Sequence, residues 1–148
     1  MIKKCSLINS FFVLFYLLGF SQNALKQNES IDLFSEEALL QNVRTLSSDG
    51  FEGRRTGTQG ADKAKQYIIN QFQINNVLPF CTNFEQRFSF FIKRKNYDGT
   101  NILGLINGTD NPEKYIVISA HYDHEGIKEG LIYNGADDDA SGIGALIS

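Results

Sequence analysis

Residues His121 to Gly142 read HYDHEGIKEGLIYNGADDDASG and gather the side chains best suited to chemistry. Both histidines of the chain lie here, with Asp123 and Glu125 at one end and Asp137, Asp138 and Asp139 at the other. Imidazole and carboxylate together are ligands for divalent metals. In an extended segment residues i and i+2 point the same way, so His121 and Asp123 can face one mouth. One can then bind a metal while the other orients it, because a ligand imidazole usually donates its second nitrogen to an oxygen. The three aspartates lie about fifteen residues later, before Ser141, a good cap for a following helix. Other chemistries fit worse. Asp137, Asp139, Ser141 and Gly142 imitate the start of an EF-hand loop, but Ser148 stands where its bidentate glutamate belongs. Gly57–Lys63 lacks Walker spacing, Gly142–Ile147 lacks a third dinucleotide glycine, and no G-x-S-x-G elbow occurs.

The elements that must hold this stretch follow from hydrophobic spacing. Ser35 caps a helix whose Leu39, Val43 and Leu46 share a face, with Glu36 and Glu37 at its positive end. Ser47–Gly50 ends it, and the Gly-rich loop Phe51–Gly57 follows. Thr58 opens a second helix with Ala61, Ala64, Ile68 and Phe72 as its buried stripe, stopped at Asn75–Asn76. Phe84, Gln86, Phe88, Phe90 and Ile92 then alternate with polar residues, as in a strand with one buried face. Tyr97-Asp98-Gly99 is expected to turn the chain into a second strand at Asn101–Ile106, with Lys93–Lys95 a solvated turn. Tyr115–Ala120 lacks alternation and reads as a central strand covered on both faces. The expected class is α/β, a mixed β-sheet flanked by helices. Gly142–Ile147 begins an apolar helix that runs under two turns before Ser148, which reads as a domain cut within a helix.

At 148 residues the chain allows one domain, and 42% hydrophobic with 21% charged residues is a globular composition. Lys3 and Lys4, an apolar run ending at Phe20, and small Gly19 and Ser21 predict a cleaved signal peptide over residues 1–21. That run is shorter than the ~20 residues of a spanning helix. Residues 22–34 read as a loose leader and 35–148 as the folded domain. The protein is thus expected to be exported, periplasmic or secreted, with no membrane attachment after cleavage. Losing Lys3 and Lys4 from 14 basic residues leaves 12 against 17 acidic ones, a net charge of −5. Such a surface argues against a nucleic-acid partner. Cys81 is then the one remaining cysteine, so no intrachain disulfide is expected.

Taken jointly, SSDGFEGRRTGTQGADKAKQYI, TNILGLINGT, YIVISAHYDHEG and NGADDDASG resemble the M28 family of zinc peptidases, the bacterial leucyl-type aminopeptidases and their relatives. The resemblance runs over roughly residues 35–148, in order, and implies a zinc-exopeptidase (aminopeptidase-like) fold in truncated form. It implies that His121 binds zinc, that Asp123 orients His121, and that Asp138 bridges two zinc ions. It also implies a cis peptide between Asp138 and Asp139. The substrates it implies are the N termini of peptides or proteins. The family's Glu-Glu pair, its general base and further ligands, has no counterpart among these residues, so the chain alone is expected to be inactive. Two alternatives share the fold: a glutaminyl-cyclase-like acyltransferase and a non-catalytic binding homologue.

Overall fold

The computed structural model describes residues 34–111 and 113–148. The signal-peptide segment and nearly all of the leader lie outside the described residues. Helix α1 (Glu36–Leu46) starts where Ser35 places its Oγ 3.1 Å from the Ala38 N–H, the expected cap. Its inner face buries Leu46 and Asn42; Asn42 survives there because Tyr67 Oη donates to its Oδ1 at 2.6 Å. Helix α2 (Gln59–Ile74) buries Ala61, Ala64, Ile68 and Phe72 as its spacing predicts, and Ile69 beside them. Thr58 stands at its start, but the Oγ1 donates back to the Arg55 carbonyl at 2.6 Å instead of capping. Asn75 and the left-handed Asn76 (φ 55°) close the helix. Helix α3 (Ser141–Ile147) adds Ile143 and Ile147 to the same core. In its first turn Gly142 N–H donates to Asp139 Oδ1 at 2.9 Å, and Ala140 occupies the cap position. Ser141, the expected cap, donates to the Asp137 carbonyl instead, at 2.9 Å.

The strands form three separate antiparallel pairs: β1 (Leu78–Pro79) with β4 (Gly104–Leu105), β2 (Glu85–Ile92) with β3 (Lys95–Ile102), and β5 (Gly126–Lys128) with β6 (Leu131–Tyr133). Helices with short antiparallel ladders are compatible with a mixed α/β class, although no ladder joins the three pairs among the described residues.

Three expectations about the strands need correcting. The β2–β3 turn is Lys93–Arg94, with Ile92 opposite Lys95, while Tyr97, Asp98 and Gly99 lie inside β3. Both turn residues have positive φ (49° and 65°), the geometry a two-residue hairpin loop requires. Secondly, β2 has no buried face. Phe88, Phe91 and Ile92 are exposed, and the aromatics cover each other, with ring centroids 5.9 Å apart for Phe88–Phe90 and 5.4 Å for Phe90–Tyr97. Thirdly, Tyr115–Ala120 forms no strand and has no ladder partner among the described residues, and Ile116 is 94% exposed. A buried strand must satisfy its backbone on both edges, and no described segment offers an edge to this one.

The core is Leu46, Ala64, Ile68, Ile69, Phe72, Phe84, Ala140, Ile143 and Ile147, between the three helices and the turn before β2. Phe72 and Phe84 pack at 5.9 Å, and Phe51 meets Tyr67 edge-on at 6.0 Å. Ala120 and Tyr122 lean on this core from the chemical stretch, which anchors its first half to the helices.

Candidate metal centre

Two segments carry the site. The first, around His121–His124, has its His124 N–H donated to the Arg54 carbonyl at 3.3 Å. The second is a widened helical turn, Ala136–Ala140, entered through the left-handed Gly135 (φ 56°) and closed by Ala140 N–H to Gly135 O at 3.3 Å. A side chain at 135 would strike the His124 ring and the Asp138 carbonyl, both within 2.5 Å of its Cβ, so only glycine fits this crossing.

The crossing brings the expected residues together. His121 Nε2 lies 3.1 Å from Asp138 Oδ1, and His121 Nδ1 lies 3.0 Å from the Asp123 carbonyl and 3.6 Å from Asp123 Oδ1. The imidazole is therefore held from the Asp123 side chiefly by the backbone oxygen. Asp123 Oδ2 accepts from Thr56 Oγ1 at 2.5 Å, which ties it to the Gly-rich loop. Asp139 does not join the cluster as a free carboxylate; it accepts from the His121 and Gly142 N–H groups at 3.3 and 2.9 Å. The peptide between Asp138 and Asp139 is cis.

His124, whose role the sequence left unassigned, proves to belong to the cluster. Its Nδ1 lies 3.4 Å from Asp138 Oδ2, so the Asp138 carboxylate sits between two imidazoles, one facing each oxygen. The signal that could have found it is the HxDH spacing itself. Glu125 turns away to pair with Lys128, which holds its carboxyl below the usual range.

Oxygen facing Nε2 has a chemical consequence. In the tautomer whose Nδ1–H donates to the Asp123 carbonyl, Nε2 presents a lone pair to a carboxylate oxygen. A cation between them would take the imidazole lone pair and neutralise the carboxylate. The spacing suits a cation: zinc bonds of ~2.0–2.2 Å at a tetrahedral centre place neighbouring ligand atoms about 3.3 Å apart. Among the described residues no three His, Cys, Asp or Glu side chains form a group that could hold a metal ion, so the described residues offer a partial ligand set.

Tyr122, next to His121, packs its ring against the core. Its Oη donates to the Thr100 carbonyl at 2.8 Å, and its pKa is pushed up to about 12 by burial first, then by Asp123, Asp62 and Glu85. The folded state therefore keeps this proton where the unfolded chain releases it near pH 10. Stability from Tyr122 is full below pH 10 and lost as pH rises towards 12. Urea denaturation at stepped pH is expected to show wild type losing stability more steeply over that window than Tyr122→Phe. Parallel curves would refute the assignment.

Residues 101–148, which hold every member of this cluster except the supporting Arg54 and Thr56, can be compared with known families. They match the model of peptidase family M28. The M28 match supports a hydrolase of the metallopeptidase kind, acting on peptides. It spans the His121 segment and the Asp138 turn together, so the two parts that meet in space fall within one matched stretch. No curated protein matches the chain.

Proposed function

We propose that this chain belongs to an exported zinc-dependent exopeptidase of the M28 type, which removes residues from the N termini of peptides. The observation that carries the reading is the Asp138 carboxylate, held with one oxygen 3.1 Å from His121 Nε2 and the other 3.4 Å from His124 Nδ1. His121, through Nε2, and Asp138 would hold the metal, two ions in the complete site. Bound zinc would supply Lewis acidity toward the scissile carbonyl and an acidified water. The chain's own residues prepare this place. The Asp123 carbonyl lies 3.0 Å from His121 Nδ1, Thr56 holds the Asp123 carboxylate, and Asp139 accepts from Gly142 N–H while Asp138 faces both imidazoles.

Zinc titration of the purified protein, monitored by calorimetry, tests the proposal. Wild type is expected to bind zinc, and Asp138→Ala to bind it at least about tenfold more weakly, the loss of one of two ligands. Equal affinity in both proteins would sink the assignment of Asp138. The site as described provides no glutamate base, so no turnover of aminoacyl anilides is expected from these 148 residues. Zinc-dependent anilide cleavage would overturn that part alone.

A further inference from the structure

The Gly-rich loop before α2 carries a second kind of component. Arg54 is fully buried, and its guanidinium donates to four backbone carbonyls. Nε reaches Tyr122 O at 2.8 Å, Nη1 reaches Leu46 O at 2.5 Å and Asn134 O at 2.7 Å, and Nη2 reaches Gly135 O at 2.7 Å. Its own carbonyl receives the His124 N–H. The side chain thus grips three places distant in sequence: the end of α1, the middle of the His121–His124 segment, and the residues that enter the Asp138 turn. Gly135 O is shared between Arg54 and Ala140 N–H, so the guanidinium holds the same carbonyl that closes the turn.

We infer that Arg54 is a positioning residue, whose planar fork sets the distance between the two halves of the metal site. Tyr122 O adjoins His121, and Gly135 opens the turn that presents Asp138, so a fork bonded to both fixes the separation of Nε2 from Oδ1. The charge contributes as well. Burial lowers the guanidinium's pKa, while Asp123, Asp138 and Asp139 hold it up, so the cation stays charged beneath an acidic site. Geometry separates the two contributions. A guanidinium spreads five donors over three nitrogens, whereas lysine has three donors on a single atom and cannot serve carbonyls on opposite sides. A lysine therefore retains the charge and loses the spacing.

This inference rests on the zinc reading only for its metal-binding arm, and the test separates them. Wild type and Arg54→Lys are compared by amide hydrogen exchange and by calorimetric titration with zinc alone. In Arg54→Lys the amides of α2 are expected to stay protected, while those of residues 121–124 and 135–140 lose protection by about tenfold. Zinc affinity per folded molecule is expected to fall by about tenfold, the scale of removing a group that orients metal ligands. Full rescue by lysine in both measurements would overturn the inference, since charge alone would then suffice. Loosened segments in a protein whose wild type takes up no zinc would support the positioning role while refuting the zinc reading. Should Arg54→Lys fail to fold, the wild-type Arg54 side chain still decides. Locked by four carbonyls, it is expected to show separate, slowly exchanging Nη–H resonances, and a freely rotating guanidinium would overturn the inference.

Discussion

Gly53→Ala is expected to destabilise the protein by about 3 kcal/mol, among the largest effects of any single added methyl group here. Two costs combine at this position. The backbone is left-handed (φ 66°), and a Cβ would lie 2.4 Å from the Tyr133 carbonyl and 2.8 Å from the Gly126 carbonyl. Both obstacles are backbone of the β5–β6 hairpin, which cannot swing aside as a flexible side chain could. Two other glycines separate the costs. Gly130 shares the left-handed conformation (φ 78°) with open space around it, so Gly130→Ala should cost about 1 kcal/mol. Gly108 has neither feature and should change stability by less than ~0.5 kcal/mol. Urea denaturation of the three variants gives the comparison. Equal losses at 53 and 130 would show that the loop yields and that the hairpin does not press on it.

Leu46→Ala is expected to cost about 2–5 kcal/mol. Leu46 is fully buried at the end of α1, in contact with the core shared by all three helices. Removing its side chain leaves a cavity at the point where its carbonyl also receives Arg54 Nη1. Leu40, 41% exposed on the same helix, provides the control, and Leu40→Ala should change stability by under ~1 kcal/mol. A loss at Leu46 no larger than at Leu40 would mean that α1 is not part of the core. Guanidinium denaturation with a fitted slope measures both.

These expectations draw on parts of the molecule of unequal legibility. The two long helices were readable from period and end signals: Ser35, the stripe from Ala61 to Phe72, and Asn75–Asn76 act as their types suggest, while Thr58 starts its helix without capping it. The hairpin was readable as a hairpin, and Lys93–Arg94 as a solvated turn, but the reversal between its strands was expected at Tyr97–Gly99. Tyr97-Asp98-Gly99 has favourable turn composition, while Lys93–Arg94 adopts two positive φ values without a glycine or asparagine to announce them. Tyr115–Ala120 shows the limit of composition, since an apolar run describes what a segment could bury and not whether a neighbour is there to cover it.

In the site, the HxD and DDD elements stood out by residue type, although their contacts run between distant positions: Asp138 to His121 and His124, and Asp123 to Thr56. The approach of His121 to Asp138 was an expectation from resemblance, and the geometry brings the two side chains together. The part played by Arg54 was not legible. An arginine in a Gly-rich loop reads as solvated, and only the convergence of Leu46, Tyr122, Asn134 and Gly135 shows why it is buried.

The packing of α1 also bears on how the chain is made. Asn42 Nδ2 reaches Ser148 Oγ at 3.4 Å across 106 positions, and Leu46 shares a core with Ile143 and Ile147. A helix of 11 residues is marginal by itself in water. During synthesis from the N terminus α1 emerges early, but α3, the helix it packs against, arrives about a hundred residues later. Until then Leu46 and Ile68 lack part of their cover, and the hydrophobic centre of the chain is still open. Tight closure therefore comes late, with the same helix whose first turn follows the Asp138 loop.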